Sequence, residues 1–106
     1  MKHRVIVTPE AESDLKRIYR YIRMDGAPQA ARGWLAGARK AIKALAVSPE
    51  RANLAPESSS FEAPLRELLI GTSGRLNYRI LFVIMGNSVF ILHVRHGSML
   101  PLRPLE

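Results

Sequence analysis

A chain of 106 residues has room for one domain and not for two. Lys and Arg total 16 against nine Asp and Glu, a formal net charge of +7, and there is no cysteine. That excludes a disulfide scaffold, a thiolate metal site and a cysteine nucleophile, and it points to an acidic macromolecular partner rather than a cofactor. Twelve of the basic residues are arginine, whose planar fork suits bidentate recognition of phosphate or carboxylate. No apolar stretch approaches the roughly 20 residues needed to span a bilayer. Met1-Lys2-His3-Arg4 gives a basic start, but Pro9-Glu10 ends the short apolar run after it, so a secretory leader is not expected. A cytoplasmic protein without membrane contact, metal or small-molecule cofactor is the expectation.

Residues 4–8, Arg-Val-Ile-Val-Thr, read as a short strand. Thr8 offers an N-cap oxygen, Pro9 suits the first helical position, and Glu10, Glu12 and Asp14 favour a helix N-terminus. Leu15, Ile18, Tyr19 and Ile22 then recur at helical spacing, which predicts an amphipathic helix over 9–24, stopped by Asp25-Gly26. Lys16, Arg20 and Arg23 line another stripe of that helix. Pro28 opens a second helix over 28–47, with Ala31, Leu35, Ala38, Ile42 and Leu45 as its apolar stripe and Trp34 beside it. A line of small residues, Ala30, Gly33, Gly37, Ala41 and Ala44, would let another helix approach closely. The short turn at 25–27 makes an antiparallel helix hairpin. Residues 48–64 form a polar loop, followed by strands over 65–70, 76–85 and 89–96 and an irregular tail over 97–106. The order predicts an α+β fold, with the helix pair packed on one face of an antiparallel meander.

Side-chain alternation assigns the faces. With a two-residue turn at Gly86-Asn87, Arg79 faces Val94 and Asn77 faces His96. With a four-residue turn at 71–74, Arg66 faces Arg79. One face then gathers Arg66, Arg75, Asn77, Arg79 and His96. The other carries Leu76, Tyr78, Ile80, Phe82, Ile84, Val89 and Ile91, the natural seat for the helices. Glu67, Tyr78 and Arg95 lie in a row on that second face, and His93 sits beside Ile80. Two arginines directly opposite are unfavourable unless an anion joins them, so Arg66, Arg75 and Arg79 are the candidate anion-binding residues. Glu57 or Glu62 from the loop offers an alternative partner. His3, His93 and His96 lack metal-ligand spacing.

Thr8-Pro9-Glu10-Ala11 with Asp14-Leu15, Arg66-Glu67-Leu68, Asn77-Tyr78-Arg79-Ile80-Leu81-Phe82 and the run Val89 to Gly97 together carry a resemblance. Over residues 4–97 the chain resembles the RelE/ParE superfamily of toxins from bacterial type II toxin–antitoxin systems. The resemblance implies a growth-inhibiting toxin and a co-expressed antitoxin whose disordered segment folds over it. Lys16, Arg20, Arg23 and Arg39 are the residues expected to meet that acidic partner. RelE-like members look like ribosome-dependent mRNA endonucleases; Arg66 and Arg79 match their phosphate-holding positions and His96 matches a catalytic position of some. Gly97, however, stands where those relatives carry a tyrosine. ParE-like members, which inhibit DNA gyrase and have no recognised catalytic residues, are closer in the "YRILF" and "VRHG" segments. A gyrase-binding toxin is therefore the favoured reading, with an endonuclease and a non-toxic antitoxin-binding relative as alternatives.

Overall fold

The computed structural model describes residues 2–25, 27–72 and 75–97, apart from the side chains of Thr72, Arg75 and Leu76. The expected stop at Gly26, the turn at 73–74, the side chain of Leu76 and most of the expected tail thus lie outside the described residues. Strand β1 (Arg4–Val7) leads into helix α1 (Pro9–Met24) and helix α2 (Pro28–Ala44), followed by β2 (Asn53–Leu54), β3 (Leu65–Thr72), β4 (Arg75–Met85) and β5 (Ser88–His96). The strands form one mixed sheet in the order β1-β5-β4-β3-β2. β1 runs parallel to β5, and the remaining pairs are antiparallel.

Helix α1 begins as its sequence demands. The Thr8 hydroxyl accepts the Ala11 amide at 3.2 Å and donates to the Ile91 carbonyl at 2.7 Å, so one side chain caps the helix and ties its start to β5. The helix pair covers the face carrying Tyr78, Ile80, Phe82, Ile84, Val89 and Ile91, as alternation predicts. Ala11, Leu15 and Ile18 of α1 and Trp34, Ala38 and Ile42 of α2 complete this core. Phe82, Leu15, Ile80 and Ile91 are fully buried, each contributing roughly 1.5–3 kcal/mol by leaving water. α2 ends three residues earlier than its pattern suggests. Leu45 to Val47 turn away instead, and the Ala46 carbonyl accepts the His3 amide at 2.6 Å, which pins the chain's beginning to the end of the helix. The line of small residues does not face α1. Gly33 and Gly37 are exposed, and a Cβ built on either would meet nothing within 4 Å.

The segment expected as a plain polar loop is structured. Two single-turn helices, Pro49–Arg51 and Pro56–Ser60, flank β2. The Ser58 hydroxyl accepts the Leu65 amide at 2.9 Å, and Ala55 packs with Leu65, Leu81 and Val83 in a second, smaller core on the other face of the sheet. Phe61, Ala63, Phe90 and Leu92 close over it.

Two registers depart from expectation. β4 and β5 follow the two-residue turn as far as Phe82↔Ile91, with Gly86 at φ 60°, which suits the first central position of a type II′ turn. Beyond that, Leu92 is an extra residue, and the pairs become Leu81↔His93, Ile80↔Val94, Arg79↔Arg95 and Tyr78↔His96. Between β3 and β4 the strands run on to Thr72↔Arg75, so the connection is shorter than four residues. With a further irregularity between Ile70 and Thr72, Arg66 faces Phe82 and Arg79 faces Leu69. Those offsets are odd, so Arg66, Arg95 and His96 change face.

The bulge is held by a buried carboxylate. Asp14 of α1 accepts the Val94 amide at 2.9 Å through Oδ2, which also meets His93 Nδ1 at 3.1 Å, while Oδ1 accepts Arg17 Nη2 at 2.9 Å. Asp14→Ala would strand the Val94 N–H in the interior and release the bulge. It should cost roughly 2–4 kcal/mol, because an unsatisfied buried donor adds to the lost charge-assisted bonds. A urea midpoint unchanged within error would contradict this role.

Candidate functional site

The centre of the sheet's outer face is an ion-paired arginine rather than an arginine pair. Arg79 Nη1 and Nη2 donate to Glu57 Oε2 and Oε1 at 2.8 and 2.6 Å, and Nε donates to Glu67 Oε1 at 2.8 Å. Its side chain is 14% exposed, and that of Glu57 only 4%. The hydrogen bonds donated to Glu57, reinforced by the one to Glu67, outweigh burial and raise the Arg79 pKa above that of an ordinary guanidinium. The loop turn Pro56–Ser60 delivers Glu57, and β3 delivers Glu67.

The cluster expected from alternation is therefore not assembled. Arg66 belongs with Phe82 on the helix side, and its Nη1 donates to the carbonyls of Glu50 and Ala52 at 3.1 and 2.7 Å. Its work is to hold the loop. The Arg75 side chain lies outside the described residues. His96 also moves to the helix side, because the bulge pairs it with Tyr78. Its ring meets Tyr78 edge-on at 5.1 Å, and Tyr78 in turn packs against Trp34 at 5.1 Å with the ring planes tilted by 58°. The expected row of Glu67, Tyr78 and Arg95 is likewise split: Glu67 joins Arg79, whose register partner is Arg95, while Tyr78 faces the helices. His93 reaches Asp14 instead of sitting against Ile80, its register partner being Leu81. Among the described residues, no three His, Asp or Glu side chains group closely enough to hold a metal ion.

Among the described residues, several cationic groups that face solvent lie on the helices. Lys16, Arg20 and Arg23 are exposed along α1. Arg39 of α2 is exposed too, but it clamps Glu12 of α1 with two bonds of 2.6 and 3.2 Å. That clamp lowers the Glu12 pKa and raises that of Arg39. Beside the C-terminal half of α1 opens a cavity of about 490 Å³, walled by Arg17 and Tyr21 of α1, Asn77 and Tyr78 of β4, and Val94 and His96 of β5. Burial, with a smaller contribution from Tyr21, pushes the Tyr78 phenol up. Sequence reasoning missed Arg17 and Tyr21. The signal was their i, i+4 spacing with Ile18 between them, one helical stripe away from Lys16 and Arg20.

Residues 5–101 match the family described as ParE toxin of type II toxin–antitoxin system, parDE. The chain belongs to the ParE toxin family. Its fold is shared with a chain from the chromosomal ParDE toxin–antitoxin system of P. aeruginosa, at TM-score 0.72 and 20% identity, covering 92% of this chain and 98% of that one. A chain from the RelBE2 toxin–antitoxin complex of Mycobacterium tuberculosis matches at TM-score 0.52 and 21% identity, covering 91% and 99%. No curated protein matches significantly in sequence. In this ParE-family chain a Cβ at Gly97 would meet the Asn77 carbonyl oxygen at 3.5 Å, an ordinary contact, so packing at the β-carbon does not demand glycine there.

Breaking the central ion pair from one side leaves a guanidinium charge in the interior. Glu57→Gln should destabilise the fold by about 2–4 kcal/mol, whereas Glu57→Leu combined with Arg79→Met should cost less than either change alone. Chemical denaturation of Glu57→Gln, the two single changes and the double variant checks this; additive losses would remove the coupling.

Proposed function

We propose that this chain arrests growth by binding DNA gyrase, and that a cognate antitoxin silences it by laying an acidic, amphipathic segment across α1 and α2. The carrying observation is the state of Arg79. The central arginine of the outer face is already saturated by two carboxylates of its own chain, so it is poorly suited to hold a scissile phosphate. RNA cleavage by 2′-hydroxyl attack also needs a base and an acid. The acid–base groups nearest to hand, Asp14 with His93 and Glu57 with Glu67, are engaged in holding the fold. A binding toxin needs neither arrangement. Membership of the ParE family supports the same choice. This reading places the protein in the cytoplasm with its target.

Purified protein should block supercoiling by gyrase in a concentration-dependent manner. Normal gyrase turnover with excess protein, or cleavage of translated mRNA by the wild type, would overturn the assignment.

The antitoxin reading rests on charge and shape. Lys16, Arg20 and Arg23 offer a basic edge on α1, and Arg39 can exchange Glu12 for a carboxylate of the partner. Both fold neighbours come from toxin–antitoxin systems. Reversing the edge with Lys16→Glu, Arg20→Glu and Arg23→Glu should weaken antitoxin binding at least ten-fold, about 1.4 kcal/mol, chiefly through slower association at low salt. Undiminished affinity in that variant would move the antitoxin to another surface.

A further inference from the structure

We infer that the free edge of β1, with the groove between it and α2, takes an extended acidic peptide segment as a further strand of the sheet. The backbone supplies the first argument. β1 is an outermost strand and pairs with β5 on one side only. In a parallel ladder, residues that bond the neighbour alternate with residues whose N–H and C=O point away from it. The Arg4 and Thr8 amides donate to the Asn87 and Ile91 carbonyls at 2.7 and 3.1 Å, so the even-numbered residues face β5. The odd-numbered residues face outward. His3 shows it, since its amide donates away from β5 to the Ala46 carbonyl, beside the Lys2↔Val47 bridge. Past that bridge the edge is open: the outward N–H and C=O groups of Val5 and Val7 have no partner among the described residues.

The second argument is shape. A groove of about 210 Å³ lies along this edge, with Val5, Val7 and Ile42 as its apolar floor and Arg39 and Lys43 at its sides. A strand laid along β1 turns every second side chain toward the helices, where Val5 and Val7 pack, and the groove receives an apolar side chain there. The third argument is charge, and it selects the occupant. Arg39 and Lys43 stand on the helix side, while alternation puts the exposed Lys2 and Arg4 on the opposite face. Among the described residues no carboxylate lines the groove, and Glu12 close by is held by Arg39. A second copy of this chain would bring the same cations edge to edge, the repulsion that sheet proteins use to keep edges apart. An acidic strand meets attraction instead, with ladder bonds supplying affinity and the groove supplying specificity. This contact is distinct from the helix contact proposed for the antitoxin and does not rest on it.

The probe is a short capped peptide alternating glutamate with valine, titrated into the full chain and followed by calorimetry and amide hydrogen exchange. Saturable binding is expected. At saturation the Val5 and Val7 amides should exchange about ten-fold more slowly or better, while Ile6, which faces β5, changes little. The same peptide with lysine in place of glutamate should bind about ten-fold more weakly. Two versions methylated on alternate backbone nitrogens separate strand addition from charge alone. The version methylated on the nitrogens that face β1 should lose about ten-fold, and the other less than about three-fold. Lys43→Glu should weaken the glutamate peptide about five-fold. Arg32→Glu, an equal change of charge about 16 Å away along α2, should bind as the wild type does at physiological salt, where screening acts over about 8 Å. The inference fails if the glutamate peptide does not saturate, if the lysine peptide binds as tightly, or if both methylated versions bind alike. It fails too if exchange at Val5 and Val7 is unmoved, or if Arg32→Glu loses as much as Lys43→Glu. A dimer of the chain in sedimentation that the peptide takes apart would hand the edge to a second copy and overturn it as well. A chain that leaves gyrase untouched can still pass every arm.

Discussion

One extra residue in β5 sets the geometry of everything around it. With Leu92 bulged out, the last four residues of the strand are displaced by one against β4, which brings His96 beside Tyr78 and Arg95 beside Arg79. A bulge leaves backbone groups without ladder partners, and here the Asp14 carboxylate takes the Val94 amide. The same carboxylate gathers His93 and Arg17, so a single buried acid fixes α1, the bulge and one wall of the cavity relative to one another. A carboxylate in the interior is tolerated because it accepts several charge-assisted bonds at once. His96 reaches the Tyr78 ring only through this displacement.

The outer face obeys a different rule. Arg79 is largely taken out of water while a fork of bonds to Glu57 and one to Glu67 satisfy it, on the same face of the sheet as the second core. Buried ion pairs add little net stability compared with apolar residues of the same shape, but they tolerate no misplacement of their partners. The Pro56–Ser60 turn must therefore sit where it does, and Arg66, bonded to the Glu50 and Ala52 carbonyls, holds the preceding stretch of the same loop. Two arginines expected to share an anion instead secure one loop from both sides of the sheet. Exposed positive charge is found on the helices and at Lys2, Arg4 and Arg51.

How far the sequence could be read depended on the length of the pattern carrying the information. Both helices, their first residues and the face they cover followed from signals repeated over many residues: the Thr8-Pro9 start, the apolar stripes, and the alternation from Tyr78 to Ile84. On β4, Tyr78, Ile80, Phe82 and Ile84 on the inner side and Arg79, Leu81 and Val83 on the outer side were read correctly, because alternation within one strand survives any slip. What failed was the relation between strands. The four-residue turn assumed at 71–74 placed Arg66 on the wrong side, since a three-residue error in register is odd. Nothing in residues 89–96 announces a bulge; the cause lies in Asp14, some 80 residues earlier, and such a contact has no local signature. Glu57 could be named as a possible partner for an arginine, but its burial depended on a turn that the polar composition of 48–64 concealed.

The position of the first strand has a kinetic consequence. Arg4–Val7 pairs with residues 88–91, at opposite ends of the chain, and Thr8 is bonded to Ile91. During synthesis the N-terminal strand and the helix pair emerge long before their seat exists. Closing so long a loop is entropically unfavourable until the final strand supplies its apolar face and ladder bonds. The helices must therefore wait, partly formed and with their apolar stripes uncovered, until β5 has been made and is free to pair with the first strand.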